Sequence, residues 1–321
     1  MRDDEFRPIV PPQVARHAPT GTLLRAVRRD SPEGLDIALF GVPMDQTTVQ
    51  RPGARYGPYQ AREYSWAVRV GSHSVTGVAP YDLCKIGDVG DAHVAHLDDQ
   101  GTLKDIEDFA EAIVAAGALP LCVGGEHTIS LPILRAVARG DRGPVGLVHF
   151  DAHPDTIDDM VDYSRYAPGT PFRRSFEEGL TLLDKHVMIG IRGTVYGEEV
   201  AFAREGGVTI IGMDELDEMR PKGVAQKIRE IMGDMPVYVT FDLDALDISA
   251  VTGTNFPEPG GLTIREAQGI IRGLTGMNIV GADITCFAPP LDPRGNTALV
   301  VNNLMFELLC VLAVTRTQNK A

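Results

Sequence analysis

Val145-Gly146-Leu147-Val148-His149-Phe150-Asp151-Ala152-His153-Pro154-Asp155 is the stretch from which the rest of the chain can be read. Its first six residues form a nearly unbroken apolar run, the pattern of a parallel strand covered on both faces. Its last five place two carboxylates and an imidazole at every second position. Residues two apart on an extended chain point the same way, so Asp151, His153 and Asp155 are expected to converge. The design recurs at Val237-Tyr238-Val239-Thr240-Phe241, which leads into Asp242-Leu243-Asp244. A third apolar run, Leu119–Val123, leads into Gly124-Gly125-Glu126-His127. Four carboxylates and two imidazoles then close three separate strands, too much negative charge to stand unneutralised in a pocket. Oxygen and nitrogen ligands without thiolate suit hard-to-borderline divalent cations, and six of them suit two ions better than one.

Working outward, eight strand candidates alternate with amphipathic segments: Asp36–Val42, Leu83–Gly87, Leu119–Val123, Gly146–Phe150, His186–Ile191, Val208–Ile211, Val237–Phe241 and Ile279–Thr285. Helical patterns fall at Lys104–Ala116, Ser130–Val137, Lys222–Met232 and Ile264–Leu274. This alternation predicts an α/β fold, a three-layer α/β/α sandwich around an eight-stranded, mainly parallel sheet. Ligands of such sheets bind beyond the carboxyl ends of the strands, where all three polar clusters lie. No linker or internal repeat divides the chain, so residues 36–321 read as one domain. Residues 1–35, with Pro8, Pro11, Pro12 and Pro19 among mixed charges, read as an extended arm packed on that domain or on another subunit.

Lys and Arg number 30 against 44 Asp and Glu in 321 residues, a formal charge of −14. Such a balance argues against nucleic acid or an anionic membrane as partner. Cys84, Cys122, Cys286 and Cys310 are scattered and suggest neither a disulfide framework nor a zinc knuckle, which fits a reduced, cytoplasmic compartment. Met1-Arg2-Asp3-Asp4-Glu5 lacks the apolar core of a signal peptide, and the apolar stretches read as shorter than a membrane span.

Further segments accompany the acidic clusters: Arg51-Pro52-Gly53-Ala54-Arg55-Tyr56-Gly57-Pro58, Gly169-Thr170-Pro171-Phe172-Arg173, Asp247 three residues after Asp244, and Pro257-Glu258-Pro259-Gly260-Gly261. In this order, over residues 36 to 315, the chain resembles the ureohydrolase superfamily, the arginase and agmatinase group, and within it the agmatinase-like branch. The resemblance implies an arginase-like fold and a centre of two divalent ions, Mn²⁺ or Ni²⁺. It implies that His127 binds one ion and His153 and Asp244 the other. Asp151 and Asp242 would bridge the pair, and Asp155 would complete the set of ligands around the first ion and orient the attacking water. Asp155, Asp151 and Asp242 are thus the catalytic candidates. It also implies a small guanidino substrate and a homo-oligomer, trimer or hexamer, with a homologous second subunit as a variant.

Against that pattern the chain departs at the substrate. A histidine usual before the Gly-Thr pair is here Pro168, and a glutamate usual on the last strand is here Cys286. Thr252-Gly253-Thr254-Asn255-Phe256 replaces a more glycine-rich segment, so that Asn255 and Phe256 reach the pocket rim. A thiol cannot replace a charge-assisted bidentate hydrogen bond. These changes point to guanidine, a substituted guanidine or a biguanide such as metformin, cleaved to urea or a substituted urea plus amine or ammonia. Agmatinase, guanidinobutyrase or formimidoylglutamate hydrolase activity is the alternative, and a catalytically degenerate partner subunit is the alternative from another class. His149 is expected to be a buried, hydrogen-bonded core histidine. Arg51 and Arg55 are expected in a structural turn paired with carboxylates, and Asp247 beside a ligand or bonding its own turn.

Overall fold

Nine strands form a single sheet, β1 (Val27–Arg28), β2 (Ile37–Val42), β3 (Ile86–Asp91), β4 (Leu119–Gly124), β5 (Val145–Phe150), β6 (Thr181–Ile189), β7 (Thr209–Ile211), β8 (Val237–Asp242) and β9 (Ile279–Thr285). They are ordered β1-β3-β2-β4-β9-β8-β5-β6-β7, and every pairing is parallel. The computed structural model describes residues 4–318 except 11–13, 16, 19, 96 and 160–164. Met1, Arg2 and Asp3, and Pro11, Pro12 and Pro19 of the expected arm, lie outside the described residues.

The three-layer α/β/α sandwich follows from the strand sequences. Strands β2, β5 and β8 are buried at every position, so both faces need a cover of helices. Asp99–Ala115 and Ser130–Val137 pack with Phe40, Cys122 and Leu147 in one core cluster. Ile264–Gly273 and Asn296–Gln318 pack with Leu121, Val148, Val239 and Ile284 in the other.

The sheet is all-parallel and has one strand more than the eight expected. The extra strand, β1, comes from residues 1–35, where Leu23 and Leu24 are fully buried and Leu23 N–H donates to Asp88 at 2.8 Å. Strand β3 begins later than the expected Leu83–Gly87, because Pro80–Leu83 is a helical turn, and it runs on through acidic residues. Asp88 is wholly buried there; Arg62 donates to it from Nε at 2.8 Å and from Nη2 at 3.1 Å. The Met213–Met232 helix extends beyond the expected Lys222–Met232 through a kink at Arg220, which precedes Pro221 and cannot stay helical. The long Asn296–Gln318 helix has little amphipathic pattern to read, because it is apolar on nearly all sides and buried. It is long and apolar enough to cross a membrane, contrary to expectation, but 78% of its most apolar window is buried inside the protein.

Candidate active site

The four central strands, β4, β9, β8 and β5, end side by side and deliver the polar clusters to one place. Phe150 pairs with Phe241 and Asp242 with Thr285, so Asp151 and Asp242 leave adjacent strand ends, with Cys286 one strand over. His127 follows β4 on a short 3₁₀ turn. The convergence expected from strand alternation is real, but its cause is different. Strand β5 stops at Phe150, and Asp155 takes a left-handed conformation with φ 49°. Asp244 sits in a 3₁₀ turn whose N–H donates to Asp242 Oδ1 at 2.9 Å. Turns, rather than continuing strands, aim these side chains.

Two knots of ligand atoms result. His127 Nδ1 lies 3.0 Å from Asp151 Oδ2, 2.9 Å from Asp155 Oδ2 and 3.3 Å from Asp242 Oδ2. His153 Nδ1 lies 3.1 Å from Asp244 Oδ2 and 3.4 Å from Asp151 Oδ1. Asp151, His153 and Asp244 bring their donor atoms within 4.8 Å of one another, the span of a metal site.

The proton inventory tests whether a cation fits. Thr240 Oγ1 donates to Asp283 Oδ1 at 2.6 Å, so its single proton is spent. The 2.9 Å contact between Thr240 Oγ1 and His127 Nε2 must then be donated by the imidazole. His127 as a neutral ring therefore turns a bare Nδ1 lone pair towards three carboxylate oxygens, and Nδ1 has no hydrogen-bond partner. Burial opposes a charge on His127, but the carboxylates of Asp151, Asp155 and Asp242 outweigh it and raise its pKa well above the ordinary value, so without a cation a proton would have to take the place between them. Burial, followed by the charge of Asp242, pushes Asp244 well up; burial and then Asp151 push Asp155 up. Four carboxylates at this spacing need positive charge among them, and the donor set fits divalent cations.

The surrounding residues hold the ligands. Asp151 accepts from His149 Nε2 at 2.7 Å and from His153 N–H at 2.6 Å, and Asp244 accepts from Ala152 N–H at 3.0 Å. His149 is fully buried and hydrogen-bonded, edge-on to His127 at 5.3 Å. The Asp283–Thr240–His127 chain fixes the His127 tautomer from behind. Thr240→Val is expected to weaken metal affinity about 10–100-fold, measured by competition with a chelating dye; unchanged affinity would mean that the hydroxyl does not set the tautomer.

Above the ligands lies a pocket of ≈ 260 Å³ whose wall includes Cys286, Pro168 and Phe256. Phe256 stands edge-on to His153 with ring centres 6.4 Å apart. Burial, then Asp242 and Asp244, pushes the Cys286 thiol well above its ordinary pKa, so it stays protonated. Asn255 is not on the wall; it is buried beside it, with Nδ2 donating to the Arg51 carbonyl at 2.7 Å. Arg55 pairs with Asp45, while Arg51 leans on the carbonyls of Thr252 and Thr254 instead of a carboxylate. Asp247 bonds its own turn and accepts from Gly260 N–H at 2.7 Å, which ties down the Pro257–Gly261 segment.

Several wall residues, Gln50, Tyr196 and Glu199 among them, were missed by sequence reasoning. Glu199 belongs to the Gly197–Glu205 helix, which begins just beyond β6, another strand end at the same face. Burial and the nearby Asp155 raise its pKa to about 7. The position of that loop after an apolar strand was the signal available.

This fold and this site define a class. Residues 35–310 match the family model described as the arginase family, and the chain belongs to that family. It is accordingly an enzyme, a hydrolase acting on C–N bonds of guanidino compounds. Among similar proteins, a guanidinopropionase of Pseudomonas aeruginosa is 45% identical over 314 residues, 98% of each chain. A mitochondrial agmatinase of Gallus gallus is 44% identical, over 96% of this chain and 91% of its own. The solved structure of proclavaminate amidino hydrolase from Streptomyces clavuligerus superposes with a TM-score of 0.89 at 34% identity, covering 94% of this chain and all of that one.

Proposed function

We propose that the chain is a metal-dependent amidinohydrolase that cleaves a C–N bond of a small guanidino compound with water, releasing urea or a substituted urea and an amine or ammonia. The observation that carries this is the bare His127 Nδ1 facing three carboxylates at the mouth-side end of the sheet. His127, Asp151, Asp155 and Asp242 would hold one divalent ion, and His153, Asp244, Asp151 and Asp242 a second. Bound there, such a pair lowers the pKa of a shared water and makes a nucleophile available near neutral pH. Asp155, in its left-handed turn beside His127, would accept a hydrogen bond from the attacking water and orient it. His149 and the His153 N–H keep Asp151 ionised and fixed between the two ligand knots. Pro168 has no proton to give, and the Cys286 thiol, held protonated by burial, is not poised as a covalent nucleophile.

For the substrate, the names of the similar proteins support a guanidino acid or agmatine, the alternative drawn from the sequence. A second reading, a guanidine or biguanide with no anionic tail, is favoured by the wall itself. No Arg or Lys lines it among the described residues, so a substrate carboxylate would find neutral polar groups such as Gln50, Thr194 and Tyr196 beside the ligand carboxylates, with no guanidinium or ammonium to pair with. A screen of 3-guanidinopropionate, 4-guanidinobutyrate, agmatine, arginine, guanidine, methylguanidine, metformin and formimidoylglutamate, with Mn²⁺ and Ni²⁺ in parallel, decides between them. The wall is expected to make both guanidino acids poorer than their tail-less counterparts. A guanidino acid as best substrate would return the reading to the relatives' activity, and no turnover of any member would sink the function. Assembly as a trimer or hexamer, alone or with a homologous chain, is proposed on family grounds; an active monomer in sedimentation would count against it.

A further inference from the structure

One carboxylate on the pocket wall has neither a ligand role nor a counter-ion. Glu199 is 5% exposed, and its Oε2 accepts the Tyr196 N–H at 3.3 Å. No Arg, Lys or His forms an ion pair with it among the described residues, and no Arg or Lys lines the pocket it faces. A carboxylate withdrawn from water needs a cation or several donors, and one long hydrogen bond is a small part of that. The acidic group that acts on it most strongly is Asp155, which is itself committed to the ligand knot. Across the pocket the wall at the end of β9 is Cys286, a neutral thiol. In sheet order β9-β8-β5-β6, Cys286 and Glu199 flank the two central strands on opposite sides. Among the described residues Glu199, whose Oε2 caps the start of its own helix, is the one anion of the wall outside the ligand knots, and it comes from the β6 flank.

We propose that Glu199 is the anion that receives the cationic guanidino or amidinium group of the substrate. The inference rests on the hydrolase reading above and deepens it: position 286 contributes shape alone, and the cation is held from the opposite wall. A planar amidinium offers paired N–H donors, and a carboxylate accepts them in matching geometry.

Glu199→Gln keeps an oxygen for the Tyr196 N–H and removes only the charge. Titration calorimetry of the metal-loaded enzyme with guanidinium chloride, and with urea as the neutral planar counterpart, reads the charge directly. Guanidinium affinity is expected to fall roughly 10–100-fold in Glu199→Gln, with urea affinity unchanged, metal content intact and KM rising more than kcat falls. Glu199→Asp should recover part of the affinity. Equal guanidinium affinity in wild type and Glu199→Gln overturns the proposal, as does a wild type that binds no guanidinium. Loss of metal from Glu199→Gln also overturns it, because Glu199 would then be positioning Asp155. If the affinity falls as expected but no guanidino compound is hydrolysed by the wild type, the clamp stands and the hydrolase reading fails. If hydrolysis is robust and Glu199→Gln binds normally, the reverse holds.

Discussion

Asp151→Asn is expected to lower kcat/KM by about 10²–10⁴-fold and to leave the protein short of metal. The side chain is 1% exposed and meets three histidines: Nε2 of His149 at 2.7 Å, Nδ1 of His127 at 3.0 Å and Nδ1 of His153 at 3.4 Å. An asparagine is nearly isosteric but must aim an NH₂ group at one of these contacts and carries no charge to share between ligand knots. Breaking a buried charged pair typically costs about 3–5 kcal/mol, which at about 1.4 kcal/mol per tenfold gives the stated range. Elemental analysis alongside kinetics separates the two losses. Full metal content with activity within about tenfold of wild type would remove Asp151 from the centre of the account.

Gly125→Ala is expected to destabilise the fold by about 3 kcal/mol and to abolish metal binding, although residue 125 contributes no ligand. Gly125 knits three strand ends together. Its N–H donates to the Val42 carbonyl at 2.7 Å, its carbonyl accepts the Cys286 N–H at 2.7 Å, and the next N–H donates to the Met44 carbonyl at 2.8 Å. A Cβ at this position would fall onto the Met44 carbonyl oxygen and backbone, far inside van der Waals contact, with no side chain free to yield. The relief available is to move the Glu126–His127 turn, which withdraws the imidazole. Denaturant unfolding and metal titration of the purified variant check both effects. A variant as stable and as metal-loaded as wild type would show that the turn has slack this packing denies.

Much of the fold and of the candidate metal site is legible in the amino-acid sequence. The strands that carry the site are continuous apolar runs, and each ends in polar residues, so type and end are both marked at β4, β5 and β8. Strand β3 is harder, because Asp88 and Asp91 break its apolar run, and Arg62 and the Leu23 N–H, which help make a buried aspartate tolerable there, lie far off in the sequence. β1 is only two residues long, too short to leave a periodic pattern in its side chains. The six ligand candidates are legible as types and places. How they are aimed is not, since the left-handed turn at Asp155 and the 3₁₀ turn at Asp244 depend on tertiary contacts. The substrate wall is legible only in part. Cys286, Pro168 and Phe256 do line it, while Asn255 is turned away to hold Arg51 and Glu199 arrives from a helix that carries no motif.

The central claim is that water is activated between cations held by these six residues. Its most direct test is reconstitution. Protein stripped exhaustively with a chelator is titrated with Mn²⁺ and, separately, Ni²⁺, while bound metal and hydrolysis of the best substrate in the panel are followed together. We expect no activity in the stripped protein and activity that rises with metal to a plateau at two ions per chain. Full activity in metal-free protein, or a plateau reached with no bound metal, would contradict the account.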